Sequence, residues 1–280
     1  MPVVDVQGRR IAYQDVGAGP VLVFVHGIFV NADVWSDVVA RLSDRFRCIA
    51  VTLPIGGHVE AWPADADRSP RAIAALIPQL LETLDLQDVT VVANDSGGGL
   101  LLVALDSSEP GLRRISRLVL TNCDSYEDFP PKSMRPMVSL ARLAPWLLRP
   151  LLGRLLQWRG AQRGFFRSVA HTRLPDDRLS AFFTPLRSPA VQRDLVEFTG
   201  GLHRSVALAA APAIERFTAP VLLAWGEDCK FFPLPHARRL AAAFPAARIA
   251  PIPDAMTYVM IDAPGPLADL ITDFTGDAHE

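Results

Sequence analysis

Residues Val91 to Leu100 read VVANDSGGGL. An apolar run ends in a glycine-rich turn, where two side chains able to attack a substrate, Asp95 and Ser96, stand side by side. A strand–turn–helix elbow that presents a nucleophile needs small residues two before and two after it, because the tight turn brings those positions against neighbouring backbone. Centred on Asp95, the flanks are Ala93 and Gly97, both small. Centred on Ser96, the earlier flank is Asn94, which is too large. The spacing selects Asp95. Taken alone, the ten residues also allow a plain helix start that Asp95 or Ser96 merely caps.

The surroundings of this stretch read as an α/β chain. Continuous Val/Ile/Leu runs at 21–27, 47–54, 89–94, 117–123, 220–226 and 247–253 are bounded by turn residues, the pattern of a parallel sheet covered on both faces. Between them lie helical patterns near 33–43, 69–84, 97–107, 234–243 and 264–275, with start signals such as Ser69-Pro70 and Pro264-Gly265-Pro266. The N-terminal VVDVQGRRIAYQDVG predicts a hairpin at the sheet edge. From Ser125 to about Ala211 the strand pattern stops. Helical stretches punctuated by arginine, with prolines and aromatics including Trp146, Trp158, Phe165 and Phe166, predict a helical lid inserted between two strands. The expected organisation is a core of residues 1–124 and 212–280 with a cap of 125–211.

Bulk properties narrow the function classes. The chain has 280 residues, 50% of them hydrophobic, enough for one large domain with an insertion. The formal charge is −2, so electrostatics give no case for nucleic acid. Cys48, Cys123 and Cys229 show no paired spacing, which argues against a disulfide framework or a metal site and for a reducing, cytoplasmic setting. The N-terminus meets Asp5 before any apolar run, so no signal peptide is visible. The apolar stretch 140–158 is broken by Arg142, Arg149, Arg154 and two prolines, so it is not a membrane span. The expectation is a monomer or homodimer that acts on a small molecule without metal or cofactor.

Five segments in order make the chain resemble the α/β-hydrolase superfamily over almost its full length. HGI at 26–28 is similar to the family's oxyanion-hole loop. TLPIGGH at 52–58 takes the place of its D-x-P-G-x-G-x-S segment. ANDSGG at 93–98 resembles the elbow of the aspartate-nucleophile branch, which includes haloalkane dehalogenases and epoxide hydrolases. WGEDCKFFP at 225–233 resembles the segment that carries the triad acid, and the helical insertion sits where the family's cap sits. The resemblance implies an α/β-hydrolase fold, a mostly parallel central sheet flanked by helices. It also implies Asp95 as nucleophile, Asp228 as acid, the backbone amides of Ile28 and Ser96 as the oxyanion hole, and Phe29 beside the substrate.

One part of that pattern is missing. The family's catalytic histidine falls here on Thr257, within IPDAMTYVMIDAP (252–264). A threonine hydroxyl does not titrate near neutral pH and cannot act as a general base there. His58, on the loop side where active sites of doubly wound sheets form, reads as a surface or turn histidine or, as the candidate to replace the missing base, as a catalytic or substrate-binding one. His203 could face the cavity from the lid. His171 reads as a solvated cap residue, His236 as structural, and His26 as a residue that orients its loop. Without a histidine to orient, Asp228 could bind Thr257 or water. Asn122 and Asp124, at the end of the 117–123 strand, are further cavity candidates, as is Trp146.

Substrate class follows by elimination within the resemblance. Haloalkane dehalogenases place a tryptophan directly after the nucleophile and sometimes an asparagine in the oxyanion loop; here stand Ser96 and Ile28. Epoxide hydrolases use two cap tyrosines, and none occurs between Glu127 and Glu197. Fluoroacetate dehalogenases carry arginines after the nucleophile, and Ser96 to Gly99 supply none. Three readings stay open. One is a hydrolase with an apolar, capped cavity. The second is a lyase, isomerase or cyclase in which Asp95 is a base. The third is a ligand-binding protein that has lost the chemistry.

Overall fold

The structure, a computed structural model, describes residues 1–276. Of the tail GDAHE, expected to fray, Gly276 closes the last helix; residues 277–280, His279 among them, lie outside the described residues.

Eight strands form one sheet: β1 (Val3–Val6), β2 (Arg9–Val16), β3 (Val21–Val25), β4 (Arg47–Thr52), β5 (Val89–Asn94), β6 (Ile115–Cys123), β7 (Val221–Gly226) and β8 (Ala247–Ile252). Their order is β1-β2-β4-β3-β5-β6-β7-β8, with β2 antiparallel to both neighbours and the remaining pairs parallel. β3, β5 and β7 bury almost every residue, as strands covered on both faces must. The chain leaves β3 for β4 on one side and returns to β5 on the other. The sheet therefore switches direction between β3 and β5, and a crevice opens at their carboxyl ends. Ile28 and Phe29 follow β3, and Asp95 follows β5.

The helices α1 (Ser36–Leu42), α2 (Pro70–Thr83) and α3 (Asp95–Ala104) connect the first strands. α2 starts where Ser69 predicts: its hydroxyl accepts from the Ala72 N–H, and Pro70 fills the first turn. The stretch between β6 and β7 folds as α4 (Arg135–Leu143), α5 (Pro145–Leu155), α6 (Arg159–Val169), α7 (Asp176–Phe183), α8 (Pro189–Gly201) and α9 (Arg204–Arg216), with no strand among them. α9 runs through the boundary expected at 211 and ends at Arg216, because Pro212 is accommodated inside it and the helix packs on α3. α10 (Leu234–Ala243), α11 (Val259–Asp262) and α12 (Pro264–Gly276) complete the fold, with α12 against α1. Among the described residues, no helix is long and apolar enough to cross a membrane.

A buried ion network fastens the helical segment to the core. Asp194 of α8 is fully buried and accepts from the Trp62 backbone N–H (2.8 Å), from Arg68 Nε (2.6 Å) and from Arg193 Nη2 (2.8 Å). His58 completes it. Its Nδ1 accepts from the Gly56 N–H, so Nε2 carries the proton and donates to Asp194 at 3.2 Å. Burial pushes the Asp194 carboxyl up, but His58, the Trp62 amide, Arg193 and Arg68 outweigh it and hold it at about 2.

Asp194→Ala should therefore lower the unfolding free energy by about 3–5 kcal/mol, because the buried Arg68 guanidinium loses its closest counter-charge and keeps only the partly exposed Glu197 at 3.3 Å. Urea unfolding at pH 7 measures the loss. The Asp194 pKa is depressed in the folded state, so its stabilisation is present above about pH 4 and fades as pH falls toward 2. The gap between wild type and variant should close over that window.

Candidate active site

Asp95 caps the carboxyl end of β5 with φ of +51°, a left-handed conformation that Asp and Asn tolerate better than other side chains. The turn aims its carboxylate back over the sheet. A Cβ at position 27 would run into that carboxylate, so the glycine of HGI is what lets the two loops meet. The backbone N–H groups of Ser96 and Ile28 and the Ser96 hydroxyl lie against the Asp95 carboxylate and favour its charged form. Burial is the stronger influence and raises Asp95 from its ordinary 3.8 to about 6.

Asp95 lies at the floor of a cavity of about 220 Å³. Core residues Ile28, Phe29, Ser96 and Asp124 share it with Phe165, Val169 and Leu202 of the helical segment. Its walls are mostly apolar, and a chain of edge-on aromatic contacts runs from Phe29 through Phe165 to Tyr258. Tyr258 is fully buried, and its hydroxyl donates to the Ile28 carbonyl at 3.5 Å. Burial and the Asp95 charge push the phenol well above its usual range, so it stays a neutral donor. Asp124 is 2% exposed, and burial together with the Asp95 charge pushes its carboxyl well above the usual range.

The loop that carries Ile28 is pinned from behind. His26 Nδ1 donates to the Gly27 carbonyl at 2.6 Å, and Nε2 accepts from the Leu53 N–H at 2.9 Å. Burial lowers its pKa to about 4, so it is neutral and has no free ring nitrogen. This is the loop-orienting role that its place in HGI implies. Asn94, whose bulk argues against centring the elbow on Ser96, donates from Nδ2 to Thr121 Oγ1 and to the Thr257 carbonyl, both at 2.7 Å. It thereby ties β5 to the loop before α11.

The remaining sequence-derived residues scatter. Thr257 is buried, and its hydroxyl meets Cys229 Sγ at 3.1 Å, away from Asp228. Asp228 pairs instead with His171 Nε2 at 2.8 Å, and both side chains are about half exposed. His171, read from the sequence as solvated, thus fastens the helical segment to the core; Asp262 accepts from its N–H and from that of Thr172. His58 is committed to Asp194 and borders a different cavity, beside β1 and β2. That corrects its expected place as a base beside Asp95. His203 caps α9 by accepting from the Ser205 N–H and borders a separate hollow, so it does not face Asp95. Trp146 is 73% exposed on α5 and lines nothing at the site, because its helix turns that face to solvent. Asn122 holds β7 through Gly226, donating to its carbonyl and accepting from its N–H, and so serves packing. Sequence reasoning missed Tyr258 and the His171–Asp228 pair. The first follows directly on Thr257 and was discoverable from that register; the second joins residues 57 positions apart with no local signal.

Comparison with known proteins agrees with this architecture. Residues 22–270 match the model of the alpha/beta hydrolase family. Haloalkane dehalogenase 2 of Mycobacterium tuberculosis is 26% identical over 97% of this chain and 93% of its own length. A Xanthomonas campestris protein named cis-3-alkyl-4-alkyloxetan-2-one decarboxylase is 26% identical over 91% of this chain and 88% of its own. Among solved structures, a Burkholderia ambifaria alpha/beta hydrolase fold protein superposes with a TM-score of 0.77 at 25% identity, covering 97% of this chain and 99% of its own. A Bradyrhizobium elkani haloalkane dehalogenase superposes at 0.80 and 16% identity, covering 99% and 97%.

The raised pKa of Asp95 has a stability consequence. The folded pKa lies above the ordinary 3.8, so the group favours the folded state below about pH 4 and loses that contribution as pH rises through about 6. Asp95→Asn keeps a residue that accepts positive φ but does not titrate. The variant should be more stable than wild type at pH 7 by up to about 3 kcal/mol, and that margin should shrink at pH 4. Urea midpoints at the two pH values test it.

Proposed function

The chain belongs to the alpha/beta hydrolase family, and from that premise we propose that it is a hydrolase whose nucleophile is the Asp95 carboxylate, acting on an apolar small molecule. One observation carries the proposal: a carboxylate at the floor of a largely apolar cavity, with the Ser96 and Ile28 N–H groups on it. In this reading one Asp95 oxygen attacks an electrophilic carbon, the leaving group departs with its electron pair, and an ester joins substrate to enzyme. Water then adds to the ester carbonyl. The developing oxyanion is the Asp95 oxygen already facing the two amides, so the same donors serve the resting carboxylate and the intermediate. The segment α4–α9 acts as the cap that keeps bulk water from the cavity. The relatives named as haloalkane dehalogenase and oxetanone decarboxylase support small, mostly apolar substrates.

A second reading rests on Thr257. Its hydroxyl meets only Cys229 where the family places its base, and a carboxyl near pH 6 is itself suited to take a proton from carbon. Asp95 would then be the base of a non-hydrolytic reaction.

Single-turnover reaction in ¹⁸O-labelled water separates the two, with a panel of apolar epoxides, alkyl halides and esters as probes. Label entering the Asp95 side chain, read by peptide mass spectrometry, is the expected result; turnover with no label there favours the base reading. Asp95→Ala should abolish turnover. Ser96→Ala should cost far less, because Ser96 contributes chiefly its amide. The opposite ranking would remove Asp95 as nucleophile.

A further inference from the structure

Resting on Asp95 as nucleophile, we propose that Asp124 is the catalytic acid–base residue of this chain and does the work for which position 257 supplies no histidine. Asp124 follows β6 and lines the same cavity as Asp95 and Ser96. Its side chain is buried, and Oδ1 has no hydrogen-bond partner. A buried, unpartnered carboxyl oxygen costs stability, and a role in catalysis is one reason such a cost is kept. The place is made for it: a Cβ at position 99 would come within 2.7 Å of the Asp124 Cβ, so the third glycine of SGGG admits this side chain. The Ser96 hydroxyl stands beside both carboxyls and favours the charged form of each.

The groups that face Asp124 are Asp95, Ser96, Asp128 and the Cys123 thiol. No cation is among them. Two carboxyls in one low-dielectric site cannot both ionise cheaply, so Asp124 holds the proton while Asp95 is the anion. Among the described residues, each histidine is engaged elsewhere: His26 with Gly27 and Leu53, His58 with Asp194, His171 with Asp228, His203 with Ser205, and His236 with Asp128 at 3.5 Å.

The cycle balances for a substrate with an oxygen leaving group. An Asp95 oxygen bonds to carbon as the carbon–oxygen bond breaks, and the departing oxygen takes its electron pair and the Asp124 proton. Asp124, now a carboxylate, takes a proton from water as the water oxygen bonds to the ester carbonyl carbon. Collapse breaks the ester bond, and the alkoxide released takes the proton of the new Asp95 acid. Asp95 ends as the anion and Asp124 as the acid. A halide leaves as a stable anion and needs no proton, so alkylation by a halide does not use Asp124.

That difference is the test. Wild type, Asp124→Asn and His171→Ala are each given 1,2-epoxyhexane and, separately, 1-bromohexane. Loss of Asp95-dependent reaction is followed by product formation and by intact mass. Asn is nearly isosteric and leaves the unpartnered Oδ1 position an oxygen, and circular dichroism checks its fold. The expected result is epoxide turnover slower by about 10²–10⁴-fold in Asp124→Asn, with bromide alkylation of Asp95 unchanged and His171→Ala behaving as wild type. If Asp124→Asn slows both reactions alike, or neither, or if His171→Ala takes the loss instead, the assignment of Asp124 is overturned while Asp95 stands. If no adduct forms on Asp95 in any of the proteins, the nucleophile itself is wrong, and this inference falls with it.

Discussion

The left-handed turn at Asp95 is the constraint around which the site is built. A non-glycine residue at positive φ costs on the order of 1 kcal/mol, and the turn is kept only because its surroundings leave no alternative. β5 is buried along its length, so its end cannot slide. Gly27 sits where any side chain would strike the Asp95 carboxylate, and His26 fixes the loop that holds Gly27. Asn94 binds the strand end to β6 and to the loop carrying Thr257. The direction switch of the sheet sets β3 and β5 side by side, so these loops emerge into one crevice. The carboxylate is thus aimed before any ligand arrives, and its solvation is replaced by two fixed amides instead of mobile water.

The buried acids divide by their company. Asp194 is met by two arginines, a histidine and an amide, and is held at about 2. It is a fastener, and ionised under all ordinary conditions. Asp95 is met only by amides and a hydroxyl and stands near 6; Asp124 has even less and stands higher. The same side chain therefore serves adhesion or chemistry according to whether a guanidinium lies beside it. Several arginines of this chain serve such fasteners: Arg68 and Arg193 on Asp194, Arg159 and Arg163 on Asp176, Arg178 on Asp37. None is among the groups that face Asp95 or Asp124. A cavity kept free of cations is what allows two carboxyls to share one proton.

What was legible in the sequence depended on how local the physics was. The strands of the core stand within a few residues of their expected bounds, because continuous Val/Ile/Leu runs have no other burial to go to. Asp95, Ser96, Ile28 and Phe29 were legible because each belongs to a short loop tied to a strand end, where the residue types dictate the backbone. His58 was misplaced for the opposite reason. Its partner Asp194 lies 136 positions away, and nothing in TLPIGGH signals a buried acid on a distant helix. The helical segment was legible as helices but not as a packing, since the orientation of six helices is decided by contacts between them. Trp146 was read as a lining aromatic, yet α5 turns it outward.

At position 257, where the resemblance to the family expects a histidine, the loop is held without one. The loop is held through backbone atoms: the Thr257 carbonyl accepts from Asn94, and the Tyr258 N–H donates to the Val169 carbonyl at 2.8 Å. Neither bond needs an imidazole. The threonine side chain fills its space against Cys229, and the thiol is itself buried, with its pKa raised chiefly by that burial, so the pair is neutral and brings no base. Asp228, which the resemblance makes the triad acid, meets no histidine within the cavity. It turns outward to His171, half exposed, and serves to attach the helical segment to the core. On the assignment proposed for Asp124, the acid turned outward at the end of β7 and the unpartnered acid at the end of β6 are two sides of one rearrangement. In that proposal the chemistry moves to the carboxyl that remains inside the cavity, where burial favours the protonated form needed to stand in for an imidazole.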